Sequence, residues 1–168
     1  MASMLDAPRY RMALAKEDFK FAVAHFTLFP DRPAELLHGH NYRVRLEIAG
    51  SDLDGEGLLV DLERVKGEVR RLCQRLDTRT LIPAESRRLT AVKGDGAVEV
   101  RFEGRAYRFP ADDILLLPLA NTSIELLARM LWHDLAPALA GSRADTLAVS
   151  VEESAGQSCW YEARLPLS

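Results

Sequence analysis

The residues with the most chemical content are His38-Gly39-His40-Asn41-Tyr42, preceded by His25 at the end of the run Phe21-Ala22-Val23-Ala24. Side chains on a strand alternate between faces, so two histidines one residue apart share a face and can reach one metal ion. Gly39 between them carries no side chain and lets backbone or a ligand come close. His25 can complete a set of three nitrogens. Three protein ligands with one open position is the pattern of a catalytic zinc rather than a structural one. The chain has four histidines, so this assignment leaves only His133, in a helical pattern.

The elements that must position these residues follow from periodicity. Residues 9–25 read as extended, with a polar break at Lys16-Glu17-Asp18. Tyr42, Val44, Leu46 and Ile48 alternate with Arg43, Arg45 and Glu47, which predicts a half-buried strand. A turn-rich stretch from Ser51 to Gly57 follows. Leu62, Val65, Val69, Leu72 and Leu76 recur at helical spacing behind Asp61, a suitable N-cap. Val98, Val100 and Phe102, then Tyr107 and Phe109, alternate around Glu103-Gly104 and predict a hairpin. Thr122 or Ser123 caps a second helix with Ile124, Leu127, Leu131 and Leu135 on one face. Leu147, Val149 and Val151 predict a strand, and Trp160 to Leu165 the last one. Helices and strands are grouped rather than strictly alternating, an α+β pattern.

Composition narrows the function classes. The 168 residues suit one domain, and a hydrophobic content of 48% is enough for a proper core. A net charge of −3, spread along the chain, argues against a nucleic-acid partner. No apolar stretch has the length of a membrane span. The N-terminus shows no basic-then-apolar signal pattern, so a cytoplasmic location is expected. Two cysteines, Cys73 and Cys159, do not make a disulfide framework.

The segments around His25, His38-Gly39-His40-Asn41-Tyr42, Gly57-Leu58-Leu59-Val60-Asp61-Leu62, Leu76-Asp77, Thr122-Ser123-Ile124-Glu125-Leu126-Leu127-Ala128 and Val149-Ser150-Val151-Glu152-Glu153-Ser154 resemble, in this order, the 6-pyruvoyltetrahydropterin synthase / 6-carboxytetrahydropterin synthase family. The resemblance spans most of the chain, except an insertion from about residue 83 to 118. It implies the tunnelling fold: a four-stranded antiparallel sheet with two helices on one face, here with an extra hairpin. It also implies a homo-oligomer, in which trimers close a twelve-stranded barrel and two trimers stack as a hexamer. The ligand set implied is Zn2+ on His25, His38 and His40, and the ligand class is a small pterin.

The resemblance also assigns the pterin contacts. Glu153 matches the family's anchoring glutamate; a carboxylate there can accept two hydrogen bonds from the 2-amino-pyrimidinone edge. Its neighbour Glu152 should point to the opposite face. Ser123 and Glu125 match the family's Thr-x-Glu at the start of the second helix, where backbone N–H groups are free to meet a ligand.

The proton-transfer residues depart from the family. No cysteine stands in the segment Arg32-Pro33-Ala34-Glu35-Leu36-Leu37, and the usual Asp-His pair reads Asp77-Thr78. One branch of the family carries Glu-x-x-His-Gly-His instead, and Glu35 to His40 matches it. That branch cleaves the side chain of 7,8-dihydroneopterin triphosphate to 6-hydroxymethyl-7,8-dihydropterin, feeding folate biosynthesis. The expectation is therefore a zinc-dependent pterin lyase with Glu35 and Asp77 as catalytic residues. A carboxylate against an apolar wall should have a raised pKa, suited to acid–base work. Two alternatives stay open: a 6-carboxy- or 6-pyruvoyl-tetrahydropterin synthase with a rebuilt acid–base set, and a pterin-binding protein without turnover. The insertion is basic in patches, through Arg87, Arg88, Lys93, Arg101, Arg105 and Arg108, which suit either a triphosphate or a solvated hairpin.

Overall fold

A computed structural model describes residues 8–166. The central strand is β3 (His38–Gly50), thirteen residues long. Its alternation of Tyr42, Val44, Leu46 and Ile48 against Arg43, Arg45 and Glu47 buries the first set and leaves the second largely to the other face. Two successive strands, β1 (Tyr10–Leu14) and β2 (Lys20–His25), pair antiparallel with the two halves of β3 along one edge. The polar break at Lys16 to Asp18 separates them. On the other edge of β3 lie β9 (Thr146–Ser154) and then β10 (Gln157–Arg164), both antiparallel.

Helix α1 (Leu62–Leu76) and helix α2 (Ile124–Leu135) contribute to one apolar core with the sheet. Val65, Val69, Leu72 and Leu76 of α1, and Leu127, Leu131 and Leu135 of α2, are buried there with Leu46, Ile48, Val149 and Val151. Asp61 caps α1 as its position suggested, its Oδ1 accepting the Glu63 and Arg64 N–H groups at 2.9 and 3.3 Å. Ser123 occupies the N-cap of α2 without a side-chain bond. Thr122 turns inward instead and donates its hydroxyl to the Phe26 carbonyl at 2.7 Å.

The sheet is larger than the four antiparallel strands expected. Beyond β2 it continues with β4 (Arg79–Pro83) and β8 (Ile114–Leu117), each parallel to its neighbour, giving seven strands. Leu81-Ile82 of β4 and Ile114 to Leu117 of β8 are short apolar runs without alternation, which periodicity cannot identify as strands. The segment expected to be an insertion with a simple hairpin differs too. Besides β8 it holds a three-stranded antiparallel meander of β5 (Thr90–Gly94), β6 (Ala97–Phe102) and β7 (Arg105–Pro110). The extra strand β5 is mostly exposed and so carries no period-two signal. The meander packs Val98, Val100 and Phe102 into a second apolar cluster with Phe26, Leu28, Ala34 and Ile82. Among the described residues, no helix is long and apolar enough to cross a membrane.

Candidate active site

The site lies on the helix-covered face of the sheet, where β2 and β3 pair and the chain enters α2. His25 and His38 are direct cross-strand partners, and His40 stands two residues further along β3 on the same face. Their ligating atoms lie within 4.8 Å of one another. Exposure falls from His38 through His40 to His25, whose side chain is only 1% exposed.

Two backbone carbonyls orient the rings. The Nδ1–H of His25 donates to the Thr122 carbonyl at 3.2 Å, and that of His38 to the Leu36 carbonyl at 2.7 Å. Each bond fixes the tautomer that leaves an Nε2 lone pair pointing inward. The Nε2 atoms of His38 and His40 are 2.9 Å apart. Three ring nitrogens that converge in this way are a donor set that one zinc ion can accept. Burial holds the His25 pKa below its ordinary value, outweighing the pull of the Glu153 carboxylate. A neutral imidazole is the form that ligates, and the donor set fits zinc.

Glu153 and Tyr42 complete the inner wall. The hydroxyl of Tyr42, a fully buried residue, donates to Glu153 Oε1 at 2.8 Å and lies 3.0 Å from His25 Nε2. Burial first, and then the Glu153 carboxylate, push the phenol pKa far above its ordinary value, so Tyr42 keeps its proton. Glu153 Oε1 is also 3.3 Å from His25 Nε2 and 3.6 Å from His40 Nε2, while Oε2 accepts from the Gln157 side-chain amide at 2.7 Å. The expected pterin anchor thus faces the histidines. Glu152 points the other way and pairs with Arg45 at 2.5 Å.

Glu35 reaches the same centre from the loop between β2 and β3. Its Oε2 accepts the Thr27 N–H at 3.0 Å and lies 4.0 Å from His38 Nε2. Its pKa differs from the expectation. Burial raises it, but the hydrogen bonds from Thr27 and the neighbouring imidazoles together bring it below the ordinary glutamate value. Glu35 is therefore a carboxylate at neutral pH, a proton acceptor in its resting form.

The remaining candidates stand further out. Asp77 caps the end of α1, and its Oδ1 accepts the Ala22 N–H at 2.7 Å, bracing the edge of β2. No hydrogen bond or ion pair among the described residues joins it to the histidines. Ser123 directly follows the Thr122 carbonyl that holds His25. Glu125 is exposed two residues on, in the first turn of α2, and its charge, after burial, raises the Cys159 pKa. His133 lies at the far end of α2, against Trp132 and Tyr161.

Sequence reasoning placed Tyr42 on a strand but gave it no role at the site, although it sits two residues after His40 and so shares its face. It missed Asn121, whose side chain exchanges two hydrogen bonds with the Leu28 backbone, at 3.0 and 2.9 Å, and so ties the start of α2 to the loop after His25. A lone Asn in a loop gives no such signal. Gly39 is not demanded by packing, since an added Cβ would meet the Val23 carbonyl at an ordinary 3.5 Å.

Comparison with known proteins places this geometry. A family profile described as 6-pyruvoyl tetrahydropterin synthase matches residues 14–164. A Methanocaldococcus jannaschii protein, provisionally assigned as a 6-carboxy-5,6,7,8-tetrahydropterin synthase, is 26% identical over 149 residues, covering 87% of this chain and 91% of its own. The Plasmodium falciparum 6-pyruvoyl tetrahydropterin synthase superposes with a TM-score of 0.86 at 25% identity, over 93% of this chain and 98% of that one. The Plasmodium vivax enzyme gives 0.83 at 27% identity, over 94% and 99%. Variants of the latter that replace a glutamate described as a catalytic residue by alanine or cysteine match equally, with a TM-score of 0.83. A profile match across nearly the whole chain, carried by a fold that brings three histidines and two glutamates together, establishes that this chain belongs to the 6-pyruvoyl tetrahydropterin synthase family, lyases of pterin metabolism.

Proposed function

We propose that this protein is a zinc-dependent lyase that cleaves the side chain of 7,8-dihydroneopterin or its triphosphate to give 6-hydroxymethyl-7,8-dihydropterin. The observation that carries the reading is the Glu35 carboxylate, 4.0 Å from His38 Nε2, at the place where the family pattern has a cysteine. The Plasmodium vivax relative, with its catalytic glutamate, supports the assignment.

His25, His38 and His40 would hold the zinc ion, which when bound would supply Lewis acidity toward a side-chain oxygen of the substrate. Glu153 anchors the pterin ring through its carboxylate, and Tyr42 fixes the rotamer of that carboxylate. Ser123 and Glu125, at the open end of α2, border the ring. Glu35 takes the proton of the C2′ hydroxyl. The C1′–C2′ bond breaks as C2′ becomes a carbonyl, and its electron pair passes into the dihydropterin ring system. A proton returned to C1′, for which protonated Glu35 is the nearest source, leaves the hydroxymethyl product and an aldehyde fragment. Asp77 acts at a distance in this scheme, holding β2 and with it His25 through the Ala22 N–H. The substrate is a small pterin, and the assembly implied by the family is a homo-oligomeric trimer or hexamer.

A second reading, a 6-carboxy- or 6-pyruvoyl-tetrahydropterin synthase with a rebuilt acid–base set, draws on the Methanocaldococcus relative. The test is Glu35→Gln, which keeps shape and removes basicity. Loss of the base should lower turnover by about 10²–10⁴-fold with zinc content and pterin affinity preserved. Full turnover in Glu35→Gln removes Glu35 from the mechanism.

A further inference from the structure

The meander of β5, β6 and β7 has no part in the chemistry above, yet it holds the loop that carries Glu35. Its two turns differ in an informative way. Asp95-Gly96 and Glu103-Gly104 are both two-residue connections, between Gly94 and Ala97 and between Phe102 and Arg105. All four residues have positive φ, 48° and 69° in the first turn and 49° and 75° in the second. Asp-Gly is the ordinary chemistry of such a turn. Glutamate is not, because its longer side chain gains nothing locally from the left-handed conformation.

What Glu103 gains lies outside the meander. Its Oε2 accepts the Ala34 N–H at 2.9 Å, and its other oxygen pairs with the Arg88 guanidinium. Arg88 also donates to the Phe29 carbonyl. Arg105, the first residue after the turn, donates from Nη1 to the Glu35 carbonyl at 2.8 Å and from Nη2 to the Ala34 carbonyl at 3.3 Å. Below these bonds Phe102 stacks on Phe26, the residue after His25, with ring centroids 4.1 Å apart. The loop closes on itself through Glu35 N–H to the Thr27 carbonyl at 3.0 Å and Thr27 N–H to the Glu35 carboxylate. The backbone on both sides of the Ala34–Glu35 peptide is thus gripped by side chains of one turn.

We propose that Glu103 and Arg105 are positioning residues, which fix the Ala34–Glu35 backbone and thereby aim the Glu35 carboxylate at the histidine triad. The strained glutamate in the turn is explained by this grip, since a purely apolar contact of the meander with Phe26 would need neither residue. The catalytic consequence rests on the reading of Glu35 as the base; the grip itself does not. Misplacing a catalytic group by about 1 Å costs roughly 10²-fold in rate, which sets the scale.

The variant that separates the roles is Glu103→Asn in the zinc-loaded full chain. Asparagine suits the turn better and is too short to reach Ala34, so the melting temperature should not fall through the turn itself. Arg105→Met removes the other half of the grip, and Arg105→Lys should restore part of it. Hydrogen exchange read by mass should show lost protection at residues 27–35 in Glu103→Asn and Arg105→Met, with β3 and β9 unchanged. With 7,8-dihydroneopterin triphosphate as probe, kcat should fall about 10- to 100-fold with KM little changed. In a Glu35→Gln background the same substitutions should cost almost nothing more. Unchanged exchange at residues 27–35, undiminished kcat, or an equal loss of rate in the Glu35→Gln background each overturns the proposal. Full turnover in Glu35→Gln alone counts against the base assignment instead, and the exchange data then decide whether the grip exists.

Discussion

One hydroxyl proton faces two acceptors at the centre of the site. Tyr42 donates to Glu153 Oε1, and His25 Nε2 waits at 3.0 Å. Tyr42→Phe should keep the ring stacked on Phe21, whose centroid is 5.1 Å away, and remove only the donor. The half-buried carboxylate then loses its hydroxyl partner. We expect a stability loss of about 1–3 kcal/mol in urea unfolding, together with weaker pterin binding. A variant with the affinity and urea midpoint of the wild type would mean that Glu153 does not depend on this bond. The cysteines make a contrasting residue-scale prediction. Burial pushes the Cys73 thiol up to about 12, with Asp18 and Asp77 adding to the effect, and burial raises Cys159 as well. Neither is a ready thiolate nucleophile, so at neutral pH Cys159 should alkylate slowly in the native protein and Cys73 only on unfolding. Rapid labelling of Cys159 with loss of turnover would reopen a thiol mechanism. The histidine triad was legible in the sequence because period two brings His38 and His40 together. The Glu153–Tyr42–His25 contact was not, because it joins three strands.

At the scale of elements, the entry to α2 does more than start a helix. Asn121 pairs with the Leu28 backbone, the Thr122 carbonyl holds His25, and the Thr122 hydroxyl holds the Phe26 carbonyl. Thr122→Val keeps the shape of this fully buried residue and deletes the donor to Phe26. It should cost about 1–3 kcal/mol of stability, measured by chemical denaturation, and loosen the zinc site with it. A neutral result would show that Asn121 alone suffices. Both helices could be read from apolar spacing, and the Asp61 cap from its position. What could not be read was the inward turn of Thr122, since a residue beside an N-cap ordinarily serves the cap. The parallel strands β4 and β8 were hidden for a different reason. Runs such as Leu81-Ile82 and Ile114 to Leu117 are apolar on both faces, and their pairing is set by segments distant in sequence.

For the whole molecule, His25 links stability to pH. Its folded-state pKa lies below the ordinary histidine value, because a buried imidazolium is poorly solvated. The unfolded chain therefore binds more protons than the folded one as pH falls through about 6.5, and folding of the metal-free protein should weaken there. His25→Gln should flatten that part of the stability curve in urea titrations between about pH 7.5 and 5.5. An unchanged slope would place the titrating group elsewhere. Zinc should raise stability most at the upper end of this range, where the imidazoles are free of protons.

The proposed pterin side-chain lyase, built on three histidines and the Glu35 carboxylate, is tested by incubating the zinc-loaded protein with 7,8-dihydroneopterin triphosphate and identifying the products by mass. The expected products are 6-hydroxymethyl-7,8-dihydropterin and a matching phosphorylated two-carbon aldehyde, both lost in Glu35→Gln. A 6-pyruvoyl or 6-carboxy product, or tight binding of the pterin with no product at all, would overturn the lyase assignment.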